Sequence, residues 1–112
     1  WLAGKTFDTF APTGPVLVTA DEVPDPHALG IRLRLNGQTM QDSSTAQMIF
    51  RAEDLIAYLS QIVTLQVGDL IFTGTPSGVG GARGRFLRDG ELIESGNDVI
   101  GRLTNRCVEE VG

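Results

Sequence analysis

The stretch TGTPSG, residues 73–78, has the residue types of a small-ligand site. It follows the apolar run LIF at residues 70–72, which predicts a buried strand. Hydroxyls and free backbone N–H groups at a strand end can form a nest for a carboxylate or phosphate. A tight Gly/Pro turn without a ligand explains the same residues equally well. The stretch is not a P-loop, because it lacks the Gly-Lys-Ser/Thr ending.

Lys5, in the stretch GKTFDTF, is the second candidate for chemistry. A cation held in a pocket can stabilise an enolate or a carboxylate. The local pattern by itself favours an ordinary surface lysine, so the residue becomes a site candidate only through other evidence.

Three other groups favour structural roles. His27 is the only histidine and lies among turn residues, which favours a surface or capping role over catalysis. Cys107 is predicted on a strand, where a free cysteine usually behaves as a small buried hydrophobe. Asp21, Glu22 and Asp25 lie on a proline-rich turn, and no Glu-x-Glu pair offers two carboxylates on one strand face. The sequence therefore contains no convincing metal site.

The elements that position these residues are mostly strands. Residues 29–35 alternate apolar and polar side chains, which predicts a strand with one buried face. Asn36-Gly37 is a strong hairpin signal that returns the chain into residues 38–41. Leu55, Ile56, Leu59, Ile62 and Val63 recur at helical spacing, which predicts one helix over residues 52–63.

The remaining segments carry weaker patterns. We predict a short strand at residues 15–19, turns at 21–27 and 66–69, a second hairpin from 91–95 and 98–103 with Gly96-Asn97 at its tip, and a last strand at 104–109. Residues 78–84 are flexible by composition. The class is α+β or mainly β.

Composition limits the classes of partner. The 112 residues form one small globular unit with 41% hydrophobic residues and a net charge of −5. This charge disfavours nucleic acid and anionic membranes, and no apolar run of about eighteen residues could cross a bilayer. The single cysteine predicts a reducing cytoplasm. The absent starting methionine and the large apolar Trp1 favour a piece of a longer protein.

Taken together and in this order, these pieces resemble the fumarylacetoacetate hydrolase superfamily. The most specific motifs are GKTFDTFAPTGP (4–15) and GDLIFTGTPSGVG (68–80), with DEVPDPHALGIRLRLNGQTMQDSSTAQMIF (21–50) between them and GRLTNRCV (101–108) after them. The resemblance implies an α+β, mainly β fold, the mixed β-sandwich or β-roll of that family. Residues 1–112 would form the C-terminal portion of a single catalytic domain.

The resemblance also implies the site. Lys5 matches the family lysine at the active centre, and Thr75 matches the threonine of a Ser/Thr-Gly-Thr loop. Thr73 and the backbone at Gly74 would complete the wall that receives a substrate carboxylate or oxo group. Thr9 matches a position near the metal in some members. Lys5 would hold developing negative charge while Thr75 orients the far carboxylate.

Family members act on β-diketo or oxo acids by C–C bond hydrolysis, decarboxylation or tautomerisation. They use a divalent cation, commonly Mg²⁺ or else Mn²⁺ or Ca²⁺, which polarises an oxo-enol oxygen. Its ligands, a Glu-x-Glu pair and an Asp, lie upstream of the lysine motif. We therefore expect the ligands upstream of Trp1 and no metal held by this chain alone.

The resemblance further implies a homodimer, contact with the upstream part of the same domain, or both, and a small oxo-acid as substrate. Burial in so small a chain also favours a covering partner. One alternative is a truncated, inactive module that folds or dimerises without metal-dependent activity. A purely structural module is the other alternative, and Lys5 together with TGTPSG speaks against it.

Overall fold

The computed structural model describes residues 2–110, so Trp1 lies outside the described part of the chain. Within that part, the strands are β1 (Gly30–Leu35), β2 (Gln38–Ser44), β3 (Leu92–Asn97) and β4 (Gly101–Arg106), and α1 spans Ala52–Leu59. The four strands form one antiparallel sheet in the order β2-β1-β3-β4. Short 3-10 turns fill several connections. The predicted α+β, mainly β class is confirmed.

The first hairpin joins β1 to β2 as predicted. Asn36 and Gly37 both have positive φ, 50° and 80°, as a tight two-residue hairpin turn requires. Ile31, Leu33 and Leu35 face inward while the alternating arginines are exposed. Strand β2 runs to Ser44, beyond the predicted end at residue 41.

The second hairpin has a different tip from the predicted one. Gly96 and Asn97 belong to β3, and the turn is formed by residues 98–100. The Asn97 side-chain oxygen accepts from the N–H groups of Val99 (2.9 Å) and Ile100 (2.7 Å), which caps the turn. The predicted strand at residues 104–109 is wrong as a separate element, because β4 already includes residues 104–106 and ends there.

Two predicted strands are absent from the described residues. Residues 15–19 and 70–72 belong to no sheet there, and Leu17 (91% exposed) and Phe72 (74% exposed) are not buried. Both runs are rich in apolar residues that fit strands, but a strand also needs a neighbouring strand edge to bond with. The short-range pattern therefore predicted two strands that the structure does not form.

Helix α1 is shorter than predicted. It begins after Arg51, whose backbone N–H donates to the Asp54 carboxylate at 3.0 Å, and it ends at Leu59 instead of residue 63. Past that point the N–H groups of both Ile62 and Val63 donate to the Leu59 carbonyl, which closes a turn. Within residues 2–110, no helix has the length and apolar character needed to cross a bilayer.

The core of the described chain is small. Leu35, at 6% exposure, is the only apolar residue among residues 2–110 that is buried. Large apolar side chains such as Leu17 and Ile49, each 91% exposed, lie at the surface. The sheet is therefore held by its hydrogen bonds and by polar contacts as much as by apolar burial.

The Glu91 carboxylate, in a residue only 8% exposed, is the centre of the main polar contact. It accepts hydrogen bonds from the Arg85 guanidinium, from the Arg88 backbone N–H (2.9 Å) and from the Asn36 side chain (3.2 Å). Asn36 also accepts from the Leu92 N–H at 2.8 Å. Arg85, followed by the Arg88 N–H, lowers the pKa of Glu91 from its ordinary 4.5. This network fastens the first hairpin to β3.

We expect Glu91→Gln to lower the melting temperature at pH 7. A carboxylate whose folded pKa lies below its unfolded value stabilises the fold above about pH 4.5, and this contribution is lost as pH falls through the folded pKa. The difference between wild type and variant should therefore narrow on acidification. Thermal melts from pH 7 to pH 3 measure it. Asp42→Asn, which removes an exposed pair with Arg32, is the control and should change little. Equal melting temperatures of Glu91→Gln and wild type at pH 7 would show that the Glu91 carboxylate does not stabilise the fold.

Candidate functional site

The TGTPSG loop, residues 73–78, lies against strand β2. The Gln41 side-chain nitrogen donates to the Thr75 hydroxyl oxygen at 2.9 Å and to the Pro76 carbonyl at 2.8 Å. At Gly78, with φ of 109°, an added Cβ would lie 2.2 Å from the Met40 carbonyl oxygen. The loop's composition follows from this contact, because only glycine permits both the φ value and the close backbone approach.

Beside this loop lies an open cleft of about 580 Å³. Strands β1 and β2, the chain leading into α1, the Leu55 side chain and the loop contribute to its walls. The lining residues are Ile31, Ser43, Ser44, Gln47, Met48, Ile49, Phe50, Leu55, Thr73, Gly74, Thr75, Pro76 and Ser77. The volume is within the range of small-molecule sites, and apolar walls with a few polar groups are typical of them.

The cleft is electrically neutral. None of its lining residues is Asp, Glu, Lys, Arg or His. Its polar groups are hydroxyls, one amide side chain and backbone, and the Ser44 hydroxyl is already engaged by the Ala46 N–H at 3.2 Å. Such a site can bind and orient a polar ligand, but it contains no general acid or base. Any proton transfer or charge stabilisation must come from groups outside this lining.

The predicted site residues fall into two places. Thr73, Gly74 and Thr75 line the cleft together, whereas Lys5 and Thr9 are not among its lining residues. The structure thus brings the three loop residues together and leaves Lys5 in a separate, exposed N-terminal turn. There the Lys5 backbone N–H donates to the Leu2 carbonyl at 2.9 Å.

The N-terminal turn has an unusual backbone at Thr9. Its φ is 68°, a region that a β-branched residue rarely adopts. The rings of Phe7 and Phe10 flank it with centroids 5.3 Å apart. Such a conformation costs on the order of 1–3 kcal/mol and is enriched at functional sites. This strain makes the GKTFDTF motif of interest independently of its lysine.

The described residues do not fit a divalent metal. No group of three or more His, Cys, Asp or Glu side chains converges anywhere in residues 2–110. The cleft itself offers neutral oxygens and no carboxylate, whereas Mg²⁺ and Mn²⁺ sites require carboxylates.

His27 and Cys107 lie away from the cleft. The His27 ring pairs with Glu53 of α1 at 3.0 Å, and the His27 backbone N–H donates to the Asp25 carboxylate at 2.8 Å. The contact with Glu53 joins the proline-rich turn to the helix and the contact with Asp25 lies within the turn, in keeping with the predicted structural role. Cys107 is half-buried and follows β4 instead of lying on a strand; its N–H donates to the Glu91 carbonyl at 2.8 Å.

Gln41 is the site residue that sequence reasoning missed. It stands on an ordinary strand after a hairpin, and its partner Thr75 is 34 positions away. A polar residue at 8% exposure signals a specific partner, but burial is visible only in the folded chain.

Comparisons with known proteins identify the family of this chain. Residues 1–108 match the family described as fumarylacetoacetate (FAA) hydrolase C-terminal. A Xenopus laevis protein named "Oxaloacetate tautomerase fahd2, mitochondrial" is 52% identical over 110 residues, covering 96% of this chain and 34% of that protein. The chain thus spans about a third of the length of the curated relatives it matches.

Two solved structures share the fold. Fumarylacetoacetate hydrolase from Exiguobacterium antarcticum has a TM-score of 0.91 at 37% identity, covering 96% of this chain and 39% of that one. Maleylpyruvate hydrolase from Sphingobium sp. SYK-6, in complex with manganese(II) ion and pyruvate, has a TM-score of 0.84 at 38% identity, covering 91% and 37%. The names of these three relatives refer to one tautomerase and two hydrolases with different substrates.

Proposed function

Because this chain belongs to the fumarylacetoacetate hydrolase family, we propose that it supplies the substrate-binding wall of an enzyme that acts on a small 2-oxo acid. The observation that carries the proposal is the neutral, hydroxyl-lined cleft at Thr73, Gly74 and Thr75. A carboxylate or oxo group needs hydrogen-bond donors of this kind. Tautomerisation of oxaloacetate is the first reaction to test, since the 52% identical relative is named for it.

In this proposal each residue has a separate task. Thr75 donates its hydroxyl proton to a substrate carboxylate or oxo oxygen, and Thr73 and the Gly74 N–H supply further donors. Lys5 stabilises the negative charge that develops on the enolate oxygen in the complete enzyme. Thr9 lies near the metal in the complete enzyme and shapes the Lys5 turn.

C–C bond hydrolysis is the second candidate reaction. The maleylpyruvate hydrolase structure, which has pyruvate bound, supports it as a chemistry that the same fold accommodates. Both reactions pass through an enolate of a 2-oxo acid, so the same binding wall serves either. The alternative of an inactive module predicts neither activity.

We further propose that any divalent cation, Mg²⁺ or Mn²⁺, is held upstream of Trp1. The manganese in the maleylpyruvate hydrolase structure supports metal use among relatives, and no ligand set is present within residues 2–110.

We also propose that the protein resides in the cytoplasm. Fractionation of cells that produce the protein tests this location. Recovery with mitochondria, as the name of the Xenopus relative suggests, would reject it.

The test is steady-state kinetics of the complete protein with oxaloacetate, with an acylpyruvate as second substrate, with and without Mg²⁺ or Mn²⁺. We expect turnover, and we expect Thr75→Val to raise KM about tenfold to a hundredfold, because a hydrogen bond to a charged group contributes roughly 1.5–3 kcal/mol. Thr64→Val, at an exposed position outside the cleft, is the matched control. A complete protein that turns over neither substrate would support the inactive module instead.

We also propose that the protein is a homodimer. The exposed apolar side chains outside the cleft, including Leu17 and Val67, support burial against other protein surface, which a second copy, the upstream part of the same domain, or both would supply. Sedimentation velocity of the complete protein should give twice the monomer mass across a range of concentrations. A stable, folded monomer would reject the proposal.

A further inference from the structure

Beyond the backbone pairing of β2, the Gln41 side chain makes two hydrogen bonds to the TGTPSG loop. Its residue is only 8% exposed, and its side-chain nitrogen has two partners in the TGTPSG loop, the Thr75 hydroxyl and the Pro76 carbonyl. Both distances, 2.9 and 2.8 Å, are those of well-formed hydrogen bonds. No other side chain of the described residues makes such a double contact with the loop.

The chemistry of these partners determines which way the amide of Gln41 points. The Pro76 carbonyl can only accept, so the amide atom facing it must be the NH₂ nitrogen and not the oxygen. One N–H proton is then directed at Pro76 and the other at Thr75. The Thr75 oxygen accepts, because an amide NH₂ group does not accept a proton in return.

This hydrogen bond determines what the hydroxyl proton of Thr75 can do. A hydroxyl both donates and accepts, and in isolation it could offer a ligand either role. Since its oxygen already accepts from Gln41, its O–H is left to donate elsewhere, and Thr75 is one of the residues that line the cleft. Thr75 is thereby biased toward being a donor.

We propose that Gln41 is a positioning residue that sets the polarity of the cleft by making Thr75 a hydrogen-bond donor to the ligand. The cleft then selects ligands that present an acceptor, such as a carboxylate or oxo oxygen, over analogues that present a donor. This inference rests on the proposed function for the identity of the ligand, but the hydrogen-bond geometry stands without it.

The test is Gln41→Glu, which keeps the shape of the side chain but replaces the hydrogen-bond donor facing Thr75 with an acceptor. An ionised carboxylate accepts the Thr75 proton and removes it from the cleft. In the complete protein at neutral pH we expect the KM for oxaloacetate and the Kd for pyruvate, measured by titration, to rise about tenfold to a hundredfold. As pH falls and the introduced carboxyl becomes protonated, it regains a donor, so the defect relative to wild type should shrink.

Two further variants separate positioning from structure. In a Thr75→Val background, Gln41→Glu should have little additional effect on pyruvate binding, because its target hydroxyl is gone. Gln41→Met, which removes both hydrogen bonds without inverting polarity, should weaken binding less than Gln41→Glu. Thermal melts of every variant show that it is folded.

The outcomes are distinct. Equal losses from Gln41→Glu in the wild-type and Thr75→Val backgrounds, or a defect independent of pH, would overturn the proposal and leave Gln41 as a loop anchor. If Gln41→Glu does not fold, Gln41→Met decides: unchanged pyruvate binding overturns the proposal, and a loss confined to the background with Thr75 supports it. Absence of turnover with pyruvate binding that follows this pattern would reject the reaction and retain the role of Gln41.

Discussion

Replacing Lys5 with methionine is expected to lower kcat of the complete enzyme by about 10²–10³-fold, with a smaller change in KM. That factor is the usual cost of removing one group that stabilises an oxyanion in the transition state. In the proposed reaction, charge on the enolate oxygen is larger in the transition state than in the bound substrate, so the loss should appear mainly in kcat. Methionine keeps the aliphatic length and removes only the charge.

The structure predicts that this change leaves stability intact. Lys5 is exposed, and within residues 2–110 it forms no ion pair. Thermal melts of Lys5→Met should therefore match wild type, since exposed substitutions usually change stability by less than about 0.5 kcal/mol.

A charge-matched control makes the kinetic result specific. Arg34→Met removes one positive charge from the exposed face of β1, away from the loop cleft. It should leave kcat near the wild-type value. Comparable losses in both variants would indicate a general effect of net charge, and wild-type kinetics in Lys5→Met would make Lys5 an ordinary surface residue.

Substitution of Gly78 by alanine should be the most destabilising single change in the loop. The new Cβ would lie 2.2 Å from the Met40 carbonyl oxygen and 3.1 Å from the Gln41 side chain, at a φ of 109°. Backbone strain alone costs roughly 1–3 kcal/mol, and the clash with backbone adds to it, so we expect a loss above about 3 kcal/mol. Pyruvate binding should weaken with it, because the loop can no longer lie on β2.

Alanine substitutions at two nearby glycines distinguish the cost of backbone strain from the cost of a steric clash. Gly74 has a φ of 104° but open space around its Cβ position, so Gly74→Ala should cost about 1–3 kcal/mol. Gly81 has neither a positive φ nor a close neighbour, so Gly81→Ala should change stability by less than about 0.5 kcal/mol. Thermal and denaturant melts of the complete protein measure the series. Equal stability of Gly78→Ala and Gly81→Ala would mean that the loop does not approach β2.

Local residue types were sufficient for some elements and insufficient for others. The β1–β2 hairpin was predictable because Asn36 and Gly37 tolerate positive φ whatever surrounds them, and the alternation of residues 29–35 identifies the buried face. Helix α1 was predictable in type, but its end at Leu59 depends on the turn that residues 60–63 form afterwards. The apolar run at residues 70–72 has the composition of a strand but forms none, because strand pairing depends on a neighbouring strand edge that no short pattern specifies.

The candidate site divides in the same way. The sequence by itself determined that TGTPSG is a hydroxyl- and glycine-rich loop and that Lys5 stands in a distinctive motif, because both are properties of adjacent residues. Only the tertiary structure decided that Thr73 and Thr75 share a neutral cleft from which Lys5 is separate, and that Gln41 holds Thr75. Contacts between residues 34 positions apart arise from how β2 and the loop pack, and the spacing of residues along the chain does not encode that distance.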